Sequence, residues 1–283
     1  MYRIAILGCE NFHAKQFLRF IKDDEEFSSI DVLGVYSDEK EAAESLNKEY
    51  GVEIMPTSDS LVGEVDGIIV TARDGKRHLD LIKPYAKYGI PVFIDKPITE
   101  SIADAKELSR LLAENNNQFV GGSVMKHTEG TKRLAEMAKN SRVLGGEVCA
   151  PIMMNSPYGG YFFYAQHLVE MVMEIFGDEI KSVLANKTED GAEVIFNYND
   201  FSVKGVYTEY EKSDKYSGLV LCEDGEKYSD VTFTDDDFRE ELGGFVRLLD
   251  GGKSPEALDK FIKPVYIMNA IVKSIKTGEG ERV

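Results

Sequence analysis

Two parts of the chain combine residue types that can move protons. Lys96 follows the apolar run Val92-Phe93-Ile94 and Asp95. A lysine at the end of a buried strand sheds water, so its ammonium gives up a proton more readily and the amine can exchange one with an alcohol. The second part is the apolar segment Gly159 to Phe176. Read as a helix from Tyr161, it places Phe163, His167, Glu170 and Glu174 at spacings of four, three and four, hence on one face. His167 then has an aromatic ring one turn before it and carboxylates one and two turns after it, and Tyr164 stands on the adjoining face as a phenolic donor. An amine, an imidazole and a phenol suit acid and base work on a hydroxyl or carbonyl oxygen. The structural alternatives are a buried histidine satisfied by a neighbouring glutamate and a surface lysine at a strand end. No His, Cys or Asp cluster has metal-ligand spacing.

The elements that must position these residues follow from periodicity. The first 122 residues alternate short apolar runs with amphipathic segments, the pattern of βαβ units building a doubly wound parallel α/β sheet. Strands are predicted at Tyr2 to Leu7, Ile30 to Tyr36, Gly67 to Thr71, Val92 to Ile94 and Gln118 to Gly121. Helices are predicted at His13 to Lys22, Glu39 to Tyr50, Arg77 to Tyr88 and Ser101 to Glu114. Beyond Gly121 come a helix at Thr128 to Lys139, the His167 helix, and serial strands between Ser182 and Phe233. Helices at Asp235 to Asp250 and Ser254 to Thr277 close the chain. Strands in series without intervening helices imply a mainly antiparallel sheet in an α+β domain. The expected domains are therefore 1–122 and 123–283.

In an open parallel sheet the loop after the first strand faces the ligand crevice, and the following helix N-terminus offers N–H groups to a pyrophosphate. That loop reads Gly8-Cys9-Glu10-Asn11-Phe12-His13-Ala14. Glu10 and His13 stand where a dinucleotide fingerprint has its second and third glycines, so bulk and negative charge enter the loop. At the end of the second strand, Ser37-Asp38 places a carboxylate where it could bind an adenosine ribose, and no arginine adjoins it in sequence. This favours NAD slightly over NADP; Asp38 could also serve as a helix N-cap.

The stretch Val70-Thr71-Ala72-Arg73-Asp74-Gly75-Lys76-Arg77-His78, followed by Gly89-Ile90-Pro91-Val92-Phe93-Ile94-Asp95-Lys96-Pro97, resembles the middle of the glucose-fructose oxidoreductase and inositol dehydrogenase family, Gfo/Idh/MocA. Asp95 stands where that family has Glu in Glu-Lys-Pro, and Gly159-Gly160 with His167 matches its second motif. The resemblance extends over essentially the whole chain. It implies a Rossmann-type domain holding NAD or NADP over the strand ends, with Gly8, Glu10, Asn11, Phe12, Ser37, Asp38, Thr71, Ala72, Arg73, His78, Asp95, Lys96 and Pro97 along the cofactor. It also implies Lys96 beside nicotinamide and substrate, and Pro97 in a turn that is often cis. The family's Asp four residues before the histidine is Phe163 here. Either Tyr164 supplies the missing hydrogen bond, with Lys96 and His167 handling the proton, or catalysis is lost and the scaffold binds a metabolite or nucleotide. Lys126 and His127 occupy a place where relatives carry a basic substrate contact. The implied substrate is a small sugar or polyol, and the implied assembly a homodimer or homotetramer formed through the open face of the second sheet.

Bulk properties agree with such a partner and exclude others. Fifty Asp and Glu against 33 Lys and Arg leave a formal charge of -17, which repels nucleic acid and anionic membranes. Cys9, Cys149 and Cys222 are too scattered for a disulfide framework, so a reducing cytoplasm is expected. The opening apolar run is too short for a signal peptide, and no stretch approaches the roughly 20 apolar residues of a spanning helix.

Overall fold

The computed structural model describes residues 1–283. The chain forms two compact units, Met1–Gly122 with Asp235–Asp259, and Ser123–Thr234 with Lys260–Val283.

The first unit is built on five parallel strands: β1 (Tyr2–Leu7), β2 (Ile30–Tyr36), β3 (Gly67–Val70), β4 (Val92–Asp95) and β5 (Phe119–Gly122). Every residue of β3, β4 and β5 is buried, as strands covered on both faces require. The crossovers contain α1 (Phe12–Asp23), α2 (Lys40–Tyr50), α3 (His78–Ala86) and α4 (Ile102–Glu114). The Ser101 hydroxyl caps α4 by accepting the Asp104 N–H at 3.0 Å. Spatial order is β2-β1-β3-β4-β5. The order reverses direction between β1 and β3, so the carboxyl ends of these two strands form the topological switch point of a doubly wound fold.

One helix departs from the expected domain division. Segment α5 (Glu129–Asn140) belongs to the second unit, as does α6 (Phe162–Phe176), but α7 (Asp235–Leu249) returns to the first. Phe245 and Leu249 of α7 lie over Gly67 in β3, and Gly244 approaches Val120 in β5. An amphipathic pattern reveals an apolar face but not which sheet that face will cover.

The second unit holds a seven-stranded sheet. Its strands are β6 (Val143–Ile152), β7 (Ser182–Thr188), β8 (Gly191–Asn197), β9 (Ser202–Glu209), β10 (Tyr216–Cys222), β11 (Gly225–Val231) and β12 (Glu281–Arg282), in the order β11-β10-β6-β9-β8-β7-β12. All neighbours are antiparallel except β6 and β9, which run parallel. The sequence predicts no strand at β6, the longest in the sheet, because Gly145, Gly146 and Pro151 interrupt its strand formers. Packing explains Gly146: a Cβ there would come 2.4 Å from the Phe176 ring.

One face of this sheet is covered by α5, α6 and α8 (Leu258–Thr277), whose Ser274 hydroxyl accepts the Ala185 N–H at 2.9 Å. The helix α6 is buried all round from Ala165 to Met173, which accounts for its continuous apolar pattern. It approaches the sheet closely at Gly205 of β9, where a Cβ would meet Phe196 at 2.7 Å and Leu168 at 3.0 Å. No helix is long and apolar enough to cross a membrane.

Because Leu168 adjoins His167, Gly205 controls how near the histidine helix sits. Gly205→Ala is expected to lower unfolding stability by roughly 1–3 kcal/mol through overpacking. A urea titration followed by circular dichroism reads this as a lower midpoint with an unchanged slope.

Candidate active site

In the first unit, functional groups converge on the carboxyl ends of β1, β2, β3 and β4. Gly8 has φ of +76°, and a Cβ on it would lie 2.4 Å from the Ala72 backbone, so only glycine lets the first turn meet the third. Asn11 holds the N-cap position of α1 without capping it; its amide donates instead to Asp95 Oδ2 at 2.9 Å. The first turn of α1 contains no acidic residue. Glu10 is drawn across the sheet: one carboxylate oxygen accepts the Ser37 hydroxyl at 2.7 Å and the other the Arg73 backbone N–H at 2.9 Å. The loop thus keeps what a diphosphate requires, a helix start free of side-chain capping, with the Glu10 charge engaged elsewhere.

Asp38 is exposed but not isolated. Arg77 Nε reaches Asp38 Oδ2 at 2.7 Å and the Tyr36 hydroxyl donates to Oδ1 at 2.8 Å. Burial opposes the charge, yet these two donors hold the carboxyl below its ordinary range. The expectation that no arginine stands beside Asp38 is corrected here, since Arg77 arrives from the start of α3. The cap of α2 is Glu39, not Asp38.

Lys96 directly follows β4, in a buried, charge-compensated cluster. The side chain is buried, and the Lys96–Pro97 peptide is cis. Desolvation lowers the pKa of the ammonium, with Arg73 adding to the effect and Asp95 and Glu241 opposing it. Asp95 is fully buried and accepts the Lys96 backbone N–H at 2.7 Å. Burial would raise its pKa, but the His13 ring and Lys96 overcome this and leave it lowered. His13 lies with Nδ1 3.1 Å from Asp95 Oδ2 and Nε2 3.6 Å from Glu241 Oε2, both ion-pair distances.

Several residues expected along a cofactor offer it no side-chain surface. Thr71 is fully buried and donates its hydroxyl to Gly8 O at 3.0 Å. His78 is fully buried with Nε2 at 2.8 Å from Ala72 O and Nδ1 at 3.2 Å from Ile98 O, and burial lowers its pKa. With Asp95, these shape the loops rather than line a crevice. Ala72 and Pro97 are buried, Glu10 and Arg73 are partly exposed, and Phe12 is exposed.

Next in the chain, Glu100 is buried near the turn that carries Pro97. Its carboxyl is pushed up to about 7, first by burial and then by the neighbouring Asp74 carboxyl, with Lys76 opposing.

The second unit presents His167. Its Nδ1 meets the Ser123 hydroxyl at 2.7 Å. Tyr164 and Tyr216 stand edge-on to the imidazole, with centroids 5.4 and 5.8 Å away, and Tyr210 packs on Tyr164. Desolvation raises the pKa of the Tyr164 phenol, with Tyr210 adding to the shift, so it stays protonated. Phe163 packs between Tyr158 and Tyr164. Glu170 Oε2 accepts the Ser123 N–H at 3.1 Å and pairs with Lys126 Nζ at 3.4 Å, while Oε1 takes the Gln166 amide. Glu174, expected on the same face, is exposed instead. Lys126 and His127 lie on the short turn Val124–His127, both partly exposed. Ser123 and Arg77 are the side chains that sequence patterning passes over, because their partners lie 44 and 39 residues away. No group of three or more His, Cys, Asp or Glu side chains has the geometry of a metal site.

The fold is that of a Rossmann-type parallel α/β unit joined to an α+β unit. Residues 2–123 match the family model described as "Oxidoreductase family, NAD-binding Rossmann fold", GFO_IDH_MocA. The match is confined to this first domain, which is similar to the NAD-binding domain of that family. Over 147 residues the chain is 32% identical to an uncharacterized oxidoreductase of Streptococcus pneumoniae serotype 4. That match covers 51% of this chain and only 38% of the relative. Among solved structures, GenD2 from gentamicin A biosynthesis in complex with NAD superposes with a TM-score of 0.87 at 14% identity, covering 100% of this chain and 96% of its own. A myo-inositol dehydrogenase from Corynebacterium glutamicum gives 0.85 at 16% identity, covering 100% and 99%. At such identities the likeness is one of fold.

The Glu100 carboxyl yields a pH prediction. Its folded pKa lies above the unfolded value of 4.5. Its favourable contribution is therefore complete below that value and is lost as pH rises through about 7. Glu100→Gln cannot ionise and is expected to melt at a higher temperature than the parent above pH 7, by an amount on the order of 2 kcal/mol in stability. Melting curves from pH 5 to 8.5 that show a constant difference between the two proteins would contradict this.

Proposed function

We propose that the protein is an NAD-dependent oxidoreductase acting on the CH–OH group, or the corresponding carbonyl, of a sugar-like or polyol substrate. The observation that carries this reading is Lys96: a buried amine whose charged form is disfavoured, at the carboxyl end of β4 in a domain similar to that of an NAD-binding family. A bound nicotinamide supplies the hydride acceptor or donor. The chain's own residues do the rest. Backbone N–H groups at the start of α1, from Asn11 and Phe12, hold the diphosphate, and Ser37 and Asp38 meet the adenosine ribose. The Lys96 amine takes the hydroxyl proton during oxidation and returns it during reduction. His167 and Tyr164 contact the reacting oxygen, with Lys126 and His127 available to outer hydroxyls. Loss of catalysis rested on Glu10 and Phe163. Glu10 is engaged by Ser37 and Arg73, and Phe163 packs on Tyr158 and Tyr164, so neither takes the place of Lys96 or His167.

We place the protein in the cytoplasm, where its three free cysteines stay reduced, and infer a homo-oligomer formed through the outer face of the second sheet, where Leu184, Leu221 and Tyr228 are exposed.

NADH is expected to raise the melting temperature by mass action, more than NADPH does at equal concentration, because the Asp38 carboxylate disfavours a 2′-phosphate and holds the neighbouring Arg77 in an ion pair at 2.7 Å. With NAD⁺ and a panel of inositols and sugars followed at 340 nm, Lys96→Ala should lower turnover by about 10²–10⁴-fold while cofactor still protects against melting. Equal turnover in mutant and parent removes Lys96 from the reaction.

A further inference from the structure

We propose that Ser123 is a positioning residue that fixes His167 as the tautomer protonated on Nε2, so that the imidazole meets its substrate as a hydrogen-bond donor and not as a base. The inference rests on the reading above that His167 contacts the reacting oxygen, but its physical core is confined to the second unit.

A serine hydroxyl has one proton and two lone pairs. The Ser123 side chain is fully buried, so water cannot complete its bonding. Its Oγ accepts the Met125 N–H at 3.2 Å and stands 2.7 Å from His167 Nδ1. The Ser123 backbone N–H is separately taken by Glu170 Oε2 at 3.1 Å. The Ser123 carbonyl accepts the Lys126 N–H at 3.3 Å, and of the partners of the hydroxyl only His167 Nδ1 can receive its proton. If Nδ1 carried the ring proton of a neutral imidazole, the hydroxyl proton would be stranded in the interior, which is costly. The neutral ring is therefore an acceptor at Nδ1 and an N–H donor at Nε2.

This reverses the polarity of a carboxylate-oriented histidine. There the carboxylate accepts the Nδ1 proton and leaves Nε2 bare to act as a base. Here the nearby carboxylate, Glu170, receives the Ser123 N–H, Lys126 and the Gln166 amide, and so secures the backbone that presents the hydroxyl. The edges and faces of Tyr164 and Tyr216 hold the ring plane. An Nε2–H aimed at the substrate oxygen stabilises negative charge on it in either direction of reaction. During oxidation the hydroxyl proton passes to the Lys96 amine. A bound nicotinamide would accept the hydride, with its electron pair, from the C–H bond as the C=O bond forms, and His167 keeps its proton throughout.

The test is nitrogen NMR of the full-length protein labelled with ¹⁵N-histidine, without ligand. The chain has four histidines, and His167→Gln identifies the resonances of interest. At a pH where the ring is neutral, the proposal expects a bare-acceptor shift at Nδ1 and an N–H shift at Nε2. Ser123→Thr should retain that pattern, and Ser123→Ala should mix or invert it. A wild-type ring with Nε2 bare, or a Ser123→Ala spectrum identical to wild type, overturns the proposal. The wild-type spectrum decides the tautomer even if Ser123→Ala does not fold. Where NAD⁺ and a polyol turn over, Ser123→Ala should lower kcat about 10–100-fold, with KM for NAD⁺ unchanged. Failure of the oxidoreductase reading is separately visible as absence of NADH binding and of polyol oxidation, with the tautomer still as described.

Discussion

An amine buried at the end of a strand must be compensated, and much of the first unit is arranged around that requirement. Desolvating Lys96 without partners would cost several kcal/mol. Full pairing in a bidentate ion bridge would instead lock its proton in place. The structure takes a middle course. Asp95 is fully buried beside Lys96 but gives one oxygen to the Lys96 backbone N–H and the other to Asn11. The carboxylate opposes the loss of the ammonium charge, and desolvation still prevails in lowering the Lys96 pKa. His13 and Glu241 extend the same balance into α1 and α7.

That balance accounts for two departures from a glycine-rich loop. A third glycine would leave Asp95 and Glu241 without the imidazole between them. His13 fills that place and also packs edge-on against Phe17 and Phe238. Likewise Glu10, where a second glycine is usual, ties the loops after β1, β2 and β3 together through Ser37 and Arg73. Bulk and charge that look hostile to a cofactor from sequence become cross-links of the strand ends once their partners are known.

What could be read from sequence was local periodicity. All five strands of the first sheet end within a residue of their expected bounds, because fully buried parallel strands are short continuous apolar runs between amphipathic helices. Lys96 and His167 were legible for the same reason: each sits at a fixed offset in a strongly patterned element. Long-range choices were not legible. The strand β6 hides behind its glycines, whose reason lies in Phe176. The helix α7 joins the first unit although it follows the strands of the second. Arg77 meets Asp38 across a separation of 39 residues.

The same limit applies most sharply to His167. Helical spacing predicts neighbours three and four residues away, so sequence points to Phe163, Tyr164 and Glu170 as the groups that decide what His167 does. Yet the ring nitrogen is bonded by Ser123, which precedes the helix by almost forty residues and belongs to no motif. Glu170 acts on the serine backbone. A phenylalanine at the position of an expected aspartate therefore need not mean that the histidine has lost its orienting partner. It means that a hydroxyl, a donor to Nδ1, has replaced a carboxylate, an acceptor from it. Exchanging the sign of that one hydrogen bond moves the ring proton to the opposite nitrogen. An imidazole protonated at Nε2 is a donor there and not a base, which is why the proposed reading gives the hydroxyl proton to Lys96.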